Sequence, residues 1–582
     1  MAKSSYATID KVKYFASKYR RRTEHKTSLE VYGIDTEADT TGVCFMICTS
    51  EGDTWSPAEF PDCLFTRRYR GKNFVAYNLK YDAGALLQGL SFKDLKTLQT
   101  TDQVTVGLYT YKIIANKLLS IRKGKNTVHI YDIASFFKTS LNVAAKKFIN
   151  KEKLDIDTTQ FTERYINKHW EYISQYCIKD ALLTKHLAEA LIKMFESFGV
   201  YPRKLYSVAY VAYQYFSNKC PYVHVRRYWD NYREVLDFAM KSYNGGKFEV
   251  TEKGTGYYYE YDLVSAYPYE ISNLVDIRDA RIVESKDYRQ DAVYAFLDCS
   301  IQIPFHIYSP VALKKRQLNF YPVGEYRKVI TKTEYEYLIE QGCDITIRKG
   351  YWLHKTYLTY PYRDEIRRLA RLKGKYKKSG KKMEYYVVKI FQNSFYGKFV
   401  QLIYKDGFYK AGASWNPIYG SVITANCRVR MSQLQQEHPE IVAVHTDSII
   451  STAKLDYGLS DSLGDLSYEV EGEGVILGSG IYQIGHKSRF RGFNTTKPLL
   501  DMLPKRGKKL NMTKKRPYSW REVAHRGLAL TDINRFDDMP RALNLNFDSK
   551  RIWLDDYNSY GEVLKRNVES VPWYIEGTDF KG

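Results

Sequence analysis

Residues 257–268, reading YYYEYDLVSAYP, constrain this chain more tightly than any other stretch. Aromatic residues at this density favour an extended strand, and the strand delivers one carboxylate, Asp262, into a tight Ser-Ala-Tyr-Pro turn. A carboxylate at a strand end is a natural ligand for a hard cation, although an Asp that merely caps its turn reads the same way. Two later stretches bear on the choice. In residues 385–400, YYVVKIFQNSFYGKFV, helical spacing sets Lys389, Asn393, Tyr396 and Gly397 on one face, which can meet a nucleotide. In residues 441–450, IVAVHTDSII, two apolar runs flank a short polar turn, the pattern of a hairpin that presents Asp447 at its tip.

Composition enters through the partner. Lys plus Arg number 89 against 66 Asp plus Glu, a net charge of +23, and 53 tyrosines are interleaved with the basic residues. A basic surface suits a polyanion and aromatic rings suit base stacking, so nucleic acid is the expected partner. The eight cysteines are scattered without zinc-ligand or disulfide spacing, which implies reduced thiols. No apolar run is long enough to span a bilayer, and residues 1–22 lack the apolar core of a signal peptide. The expectation is a soluble, cytoplasmic chain with no membrane partner.

A second chemistry is written in the first two hundred residues. Residues 29–35, LEVYGID, read as a buried strand that runs into Asp35 and Glu37, whose side chains at i and i+2 point to one side. Such pairs are also common as plain polar strand ends. Residues 73–82, NFVAYNLKYD, add Asn78 and Asp82 after a strand, and residues 172–180, YISQYCIKD, place Tyr176 and Asp180 at i and i+4 on a helix. Four carboxylates of this kind can hold two divalent ions about 4 Å apart, which is what phosphodiester hydrolysis at neutral pH requires.

The ordered set D-x-x-S-x-Y-P, K-x-x-x-N-S-x-Y-G-K and T-D-S resembles motifs A, B and C of the family B DNA polymerases. The Y-G-K ending resembles the protein-primed branch found in phages, viruses and linear plasmids. D-x-E, N-x-x-x-D and Y-x-x-x-D, in that order, resemble the three Exo motifs of proofreading 3′–5′ exonucleases. The resemblance implies a multi-domain α/β fold: a ribonuclease H-like exonuclease domain followed by a right-hand polymerase domain of palm, fingers and thumb. Its boundaries fall at a basic extension over 1–28, the exonuclease over 29–190, connecting helices and palm over 191–363, fingers over 364–399, the second part of the palm over 400–496 and the thumb over 497–582. An insertion over about 304–354 resembles the first terminal-protein region of that branch.

By the same resemblance Asp262, Asp447 and the Leu263 carbonyl would bind two Mg²⁺ ions, with Mn²⁺ as an alternative. Asp35, Glu37, Asp82 and Asp180 would bind two more, with Tyr176 orienting the attacking water. Tyr267, Lys389, Asn393 and Tyr396 would hold the deoxynucleoside triphosphate. Asn78, Ser140, Leu141 and Lys153 would serve the single-stranded 3′ end, with an N-cap serine and a surface lysine as the plain alternatives for Ser140 and Lys153. Tyr243, Gly245 and Gly246 resemble the Y-x-G-G/A linker that touches template, though paired glycines also make ordinary turns. Ser394, Gly397 and Thr446 would border the DNA, and Tyr482 and Lys487 would grip the primer terminus. The implied partners are template and primer DNA, deoxynucleoside triphosphates, a terminal protein and a single-stranded DNA-binding protein.

Two departures stand out. Motif C carries His445 where the family has Asp, and few residues separate motifs B and C, where the branch has a second insertion that encloses the template. The first motivates a rival reading, an exonuclease or DNA-binding replication factor with impaired synthesis; the second lowers the expectation of processivity and strand displacement. A polymerase primed by nucleic acid alone is a further rival. The basic run at 505–516 reads either as thumb or as a disordered tail, with Trp553 and Trp573 favouring packing.

Overall fold

Apolar alternation in the N-terminal third builds a sheet that a long helix then covers. The computed structural model describes residues 9–13, 26–220, 229–315, 318–405, 407–492, 497–503 and 506–577. Among them, eight strands pair in one sheet whose centre is Tyr32–Ala38, Asn73–Ala76 and Asn126–Asp132, mutually parallel. Ile34, Phe74, Leu119, Ile121 and Ile130 are buried on it. Helix Glu163–Ser197 crosses the central strand so closely that a Cβ at Gly33 would lie 1.8 Å from the Ala181 carbonyl oxygen. Glycine is therefore the residue that lets helix and strand meet here.

The second sheet is nine-stranded and mostly antiparallel, and its long middle strand Glu252–Leu263 pairs with Ser448–Ser451 on one side and Leu466–Gly478 on the other. The register shifts between Glu260 and Tyr261, a bulge that re-aims the end of the strand. Chain 281–354 forms a third sheet with helix Lys332–Glu340 packed on it, and Tyr574–Ile575 adds a parallel edge. Within it Val323–Thr331 and Asp344–His354 both pair with Tyr294–Ile303, so a boundary at 304 cuts through one folded sheet. Helices Arg363–Lys378 and Lys382–Ser394 form a two-helix hairpin.

Three local expectations change. The Ser-Ala-Tyr-Pro segment is no mere turn: Ser265 turns the chain at φ 53°, and helix Ala266–Ser272 follows, tolerating Pro268 in its first turn. The helix carrying Lys389 and Asn393 ends at Ser394 and tightens into a 3₁₀ turn over Tyr396–Lys398, so the helical spacing does not run on to Tyr396 and Gly397. Most of the basic extension lies outside the described residues, but Ile9 and Val12 are buried and Val12–Lys13 pairs with Phe408–Ala411. Over residues 506–516 the basic run is ordered, most of it in strand Lys509–Pro517, paired along its whole length with Phe536–Asn544. All eight cysteines are free and buried, and among the described residues no helix is long and apolar enough to cross a membrane.

Candidate active sites

The first site is made where two strand ends meet. Asp262 sits opposite Ser448 in the ladder, and the Leu263 amide donates to the Asp447 carbonyl oxygen at 2.7 Å. Thr446 supplies the hairpin turn at φ 71°, with its amide donating to the Lys247 carbonyl at 2.6 Å. Asp262, Leu263 and Asp447 line a cavity of about 500 Å³ together with Tyr267, Lys389 and Asn393. Burial, then the neighbouring Asp447, pushes the Asp262 carboxyl up to about 7, and burial raises Asp447 too. Two carboxylates forced together out of water are the signature of a site built for a cation.

Lys373 and Glu469, which motif reading passed over, line the same cavity, and the Lys373 ammonium donates to Ser265 Oγ at 2.9 Å. Tyr267 and Tyr396 form one aromatic floor, their rings 4.5 Å apart, and Tyr396 shares a hydrogen bond of 2.9 Å with the Tyr243 hydroxyl. This ties the linker tyrosine to the site. Ser394 ends the helix that bears Lys389, and a Cβ at Gly397 would meet nothing within 4 Å.

The two linker glycines have different reasons to be glycine. A Cβ at Gly245 would find room, the nearest atom being 4.0 Å away, whereas one at Gly246 would lie 2.5 Å from Thr446 Cγ2 and 3.1 Å from the Tyr267 hydroxyl. Gly246→Ala is expected to displace the Asp447 hairpin and lower the melting temperature by a few degrees, which thermal unfolding checks. Arg428, 0% exposed, donates to the Asn244 and Gly245 carbonyls at 2.9 Å each, to the Pro310 carbonyl at 3.0 Å and to Glu334 at 2.6 Å. It fixes the linker backbone from behind.

His445 turns away from the two carboxylates. Its ring stacks on Tyr482 at 5.0 Å and 7°, and its Nε2 accepts from the Gly480 amide at 3.3 Å. Burial lowers its pKa to about 3, so the ring is neutral. Tyr482 is itself only 3% exposed and donates to Glu260 at 2.8 Å, so it offers no surface to a primer end; this corrects the expected contact. Lys487 is engaged by Glu260 at 2.9 Å and Glu469 at 3.8 Å, which keeps it beside the cavity.

The second site lies in the N-terminal sheet. Asp35 and Glu37 project together, and their carboxylates and the Cys177 sulfur have ligand atoms all within 4.8 Å of one another. Asp82, in the first turn of helix Leu79–Leu86, accepts from Thr36 Oγ1 at 2.9 Å. Burial, then Asp82, Glu37 and Asp180, raises Asp35 well above the usual carboxylate range, burial and Asp180 raise Glu37, and burial pushes Asp82 up to about 7. Asp180 is raised by burial, which Lys153 opposes through a direct ion pair. Lys153 also donates to the Tyr176 hydroxyl at 3.0 Å, so the residue is no plain surface lysine. Asp180 Oδ1 is buried with no hydrogen-bond partner, an acceptor awaiting a cation. Cys177 was not legible as part of this cluster, because a cysteine on a helix reads as core; burial keeps its thiol protonated.

Beside this cluster, Tyr77, Asn78, Lys138, Ser140 and Leu141 line an open cleft of about 510 Å³. Asn78 holds a left-handed conformation at φ 72°, with its amide donating to Asp132 Oδ1 at 2.9 Å. Ser140 caps helix Leu141–Ile149, so the capping reading and the cleft reading hold together.

The molecule is thus a multi-domain α/β protein with two separate acidic centres, each bordered by basic and aromatic side chains. The family model for DNA polymerase type B, organellar and viral, matches residues 119–409, and the chain belongs to that family. The DNA polymerase of Acidianus bottle-shaped virus (isolate Italy/Pozzuoli) is 26% identical over 293 residues, which cover 47% of this chain and 43% of that relative; less than half of the relative's length is matched. Phi29 DNA polymerase complexed with primer-template DNA superposes with a TM-score of 0.64 at 16% identity over 89% of this chain and 100% of that one. Its complex with primer-template DNA and incoming nucleotides gives 0.63 at 15% over the same shares. These likenesses establish a shared fold.

Proposed function

We propose that this chain is a DNA-directed DNA polymerase that extends a 3′-hydroxyl at the Asp262–Asp447 cavity and removes 3′-terminal nucleotides at the Asp35 cluster. The observation that carries the reading is the meeting of Asp262 and Asp447 at adjacent strand ends in a cavity also lined by Lys389 and Asn393. Family membership supports it.

The donor sets fit hard divalent cations, since they are oxygen-rich, buried and forced together. When bound, two Mg²⁺ ions at each site, or Mn²⁺ in their place, supply Lewis acidity for the attacking and leaving oxygens. The protein's own groups do the positioning. Asp262, Asp447 and the Leu263 carbonyl hold the cations at the first site, and Lys389 meets the triphosphate as a point charge. Tyr267, held against Tyr396 and close to Gly246, would lie beneath the sugar of the bound nucleotide, where its ring would exclude a 2′-hydroxyl. At the second site Asp35, Glu37, Asp82 and Asp180 hold the cations, and Tyr176, held by Lys153, orients the attacking water.

Lys153→Met is expected to lower primer shortening about 10- to 100-fold, as loss of a group that orients a metal-site ligand does, with extension unchanged. Single-turnover excision of a labelled strand measures it. Initiation on a terminal protein is supported by the Y-G-K motif and by the folded sheet at 281–354, which the Tyr321 hydroxyl and the Arg428–Glu334 pair tie to the linker beside the first centre. The reading of a synthesis-impaired replication factor rested on His445, which faces away from the cavity. Extension of a labelled primer-template with Mg²⁺ and four deoxynucleotides tests the proposal; a purified protein that shortens the primer but never lengthens it overturns the polymerase assignment.

A further inference from the structure

Cys177 brings a soft donor to a centre otherwise made of hard ones. Its sulfur and the ligand oxygens of Asp35 and Glu37 all lie within 4.8 Å of one another. Helix Glu163–Ser197 sets Cys177 and Asp180 three residues apart on one face, and Ala181, a turn beyond Cys177, touches strand Tyr32–Ala38 at Gly33, so the sulfur is pressed onto the carboxylates. A second sulfur stands beside the first. Cys48 lies opposite Asp35 in the ladder, its thiol is hydrogen-bonded to Cys177, and it contacts Thr54 Oγ1 at 3.6 Å. Both cysteines are 0% exposed and free.

A thiol buried for packing alone has apolar neighbours on every side. Cys177 does belong to the core around Met46, Phe161, Ile166 and Ile173, but it also meets the charge of Asp35 and Glu37. Asp180 gives an independent sign that this space takes a cation. The residue is 4% exposed, its Oδ1 has no hydrogen-bond partner, and its charge bears on both Asp35 and Glu37. Mg²⁺ prefers oxygen alone, whereas Zn²⁺ and Co²⁺ accept thiolate together with carboxylate. The residues lining the Asp262–Asp447 cavity include no cysteine, so the two acidic centres differ in the softness of their donors.

We infer that Asp35, Glu37 and the Cys177 sulfur form a mixed oxygen–sulfur site for a thiophilic divalent cation of the Zn²⁺ class, which competes with Mg²⁺ at this centre in preference to the other. The cation takes the place of the thiol proton, which leaves to solvent, and the sulfur stays bound as thiolate. Asp35 and Glu37 serve both kinds of cation, so a retained Zn²⁺ withholds them from Mg²⁺. Excision then stops while extension runs on, a consequence that rests on the excision reading proposed above. Free zinc thereby sets the balance between removing 3′ ends and extending them.

Co²⁺ is the probe, because thiolate bound to it gives a charge-transfer band in the near ultraviolet that oxygen ligands do not. Metal-free protein titrated with Co²⁺ is expected to develop this band, and added Zn²⁺ to abolish it. The band is expected to vanish in Cys177→Ser, to weaken in Asp35→Asn with Glu37→Gln, and to persist in Cys48→Ser and in Asp262→Asn. Thermal unfolding shows which variants are folded, and the carboxylate pair carries the test if Cys177→Ser is not. In Mg²⁺ with a labelled primer-template, Zn²⁺ is expected to slow shortening at least about tenfold at a concentration that leaves extension within about twofold, and Cys177→Ser to need at least about tenfold more Zn²⁺ for the same effect. Absence of the band in the wild type, a band that survives Cys177→Ser, or equal Zn²⁺ sensitivity of Cys177→Ser and the wild type would each overturn the site. A Cys177-dependent band in a protein that never shortens primer upholds the site and defeats the excision reading; shortening in Mg²⁺ without the band does the reverse.

Discussion

Asp447→Ala is expected to lower primer extension at least about 10³-fold, equivalent to about 4 kcal/mol of transition-state stabilisation, and to leave primer shortening within about twofold. The hairpin that carries Asp447 is built on Val444 and Ile449, which pack with Tyr261 and Leu263, so a change at its half-buried turn leaves that core in place. The Asp35 cluster stands on other cores, around Met46, Cys48 and Ile173 and around Ile34 and Phe74. The reciprocal double change, Asp35→Ala with Glu37→Ala, is therefore expected to abolish shortening and spare extension. Both reactions are read from one labelled primer-template on a sequencing gel. Loss of both activities in Asp447→Ala, with its melting temperature unchanged, would mean that the two centres are not independent.

Without divalent cations the protein is expected to become less stable as pH rises, and Mg²⁺ is expected to reverse this only at the higher pH. Asp262 and Asp82 have folded-state values near 7, and Asp35, Glu37, Asp180 and Asp447 are raised as well. A carboxyl whose folded value exceeds its unfolded value binds protons more tightly when folded. Its stabilising contribution is complete below the ordinary carboxylate range near pH 4 and is lost as pH climbs through about 7. Above that range the clusters are charged, crowded and in need of cations. The net charge of +23 opposes the trend, since raising pH relieves part of the overall repulsion, so the comparison that isolates the clusters is with Asp262→Asn and Asp35→Asn. Melting temperatures at pH 5 and pH 8, with and without Mg²⁺, should show a gain of a few degrees from Mg²⁺ at pH 8, little at pH 5, and a smaller gain in either variant. A gain independent of pH would refute the assignment of these groups as the cation ligands.

The carboxylates were legible because each depends on local geometry. Asp35 and Glu37 need only the two-residue period of a strand, Tyr176 and Asp180 only one turn of helix, and Asp447 only a hairpin tip. What surrounds them was not legible, because it arrives from elsewhere in the chain. Thr36 supports Asp82, Asp132 holds the Asn78 amide, and Lys373 reaches Ser265, each across many residues with no periodicity to announce it. Even nearby, the helix that follows Ser265 was hidden by Pro268, which reads as a turn signal although it is tolerated in a first turn. The basic run at 505–516 announced its charge but not its partner strand, and nothing in Trp520 or Asn534 says that they belong to a domain encoded more than four hundred residues earlier.

Arg428 has a consequence for how such chains diversify. One buried guanidinium holds backbone from the 244–245 linker, backbone at Pro310 and the carboxylate of Glu334, so three separately encoded segments share a single counter-charge. Breaking a buried pair from one side costs about 3–5 kcal/mol, a large part of a domain's stability. The sheet at 281–354 is therefore not a cassette that can be traded between relatives on its own terms. Linker, sheet and the helix Pro417–Glu437 that carries Arg428 depend on one another, and a transplant that carries one without the others leaves a charge stranded in the interior.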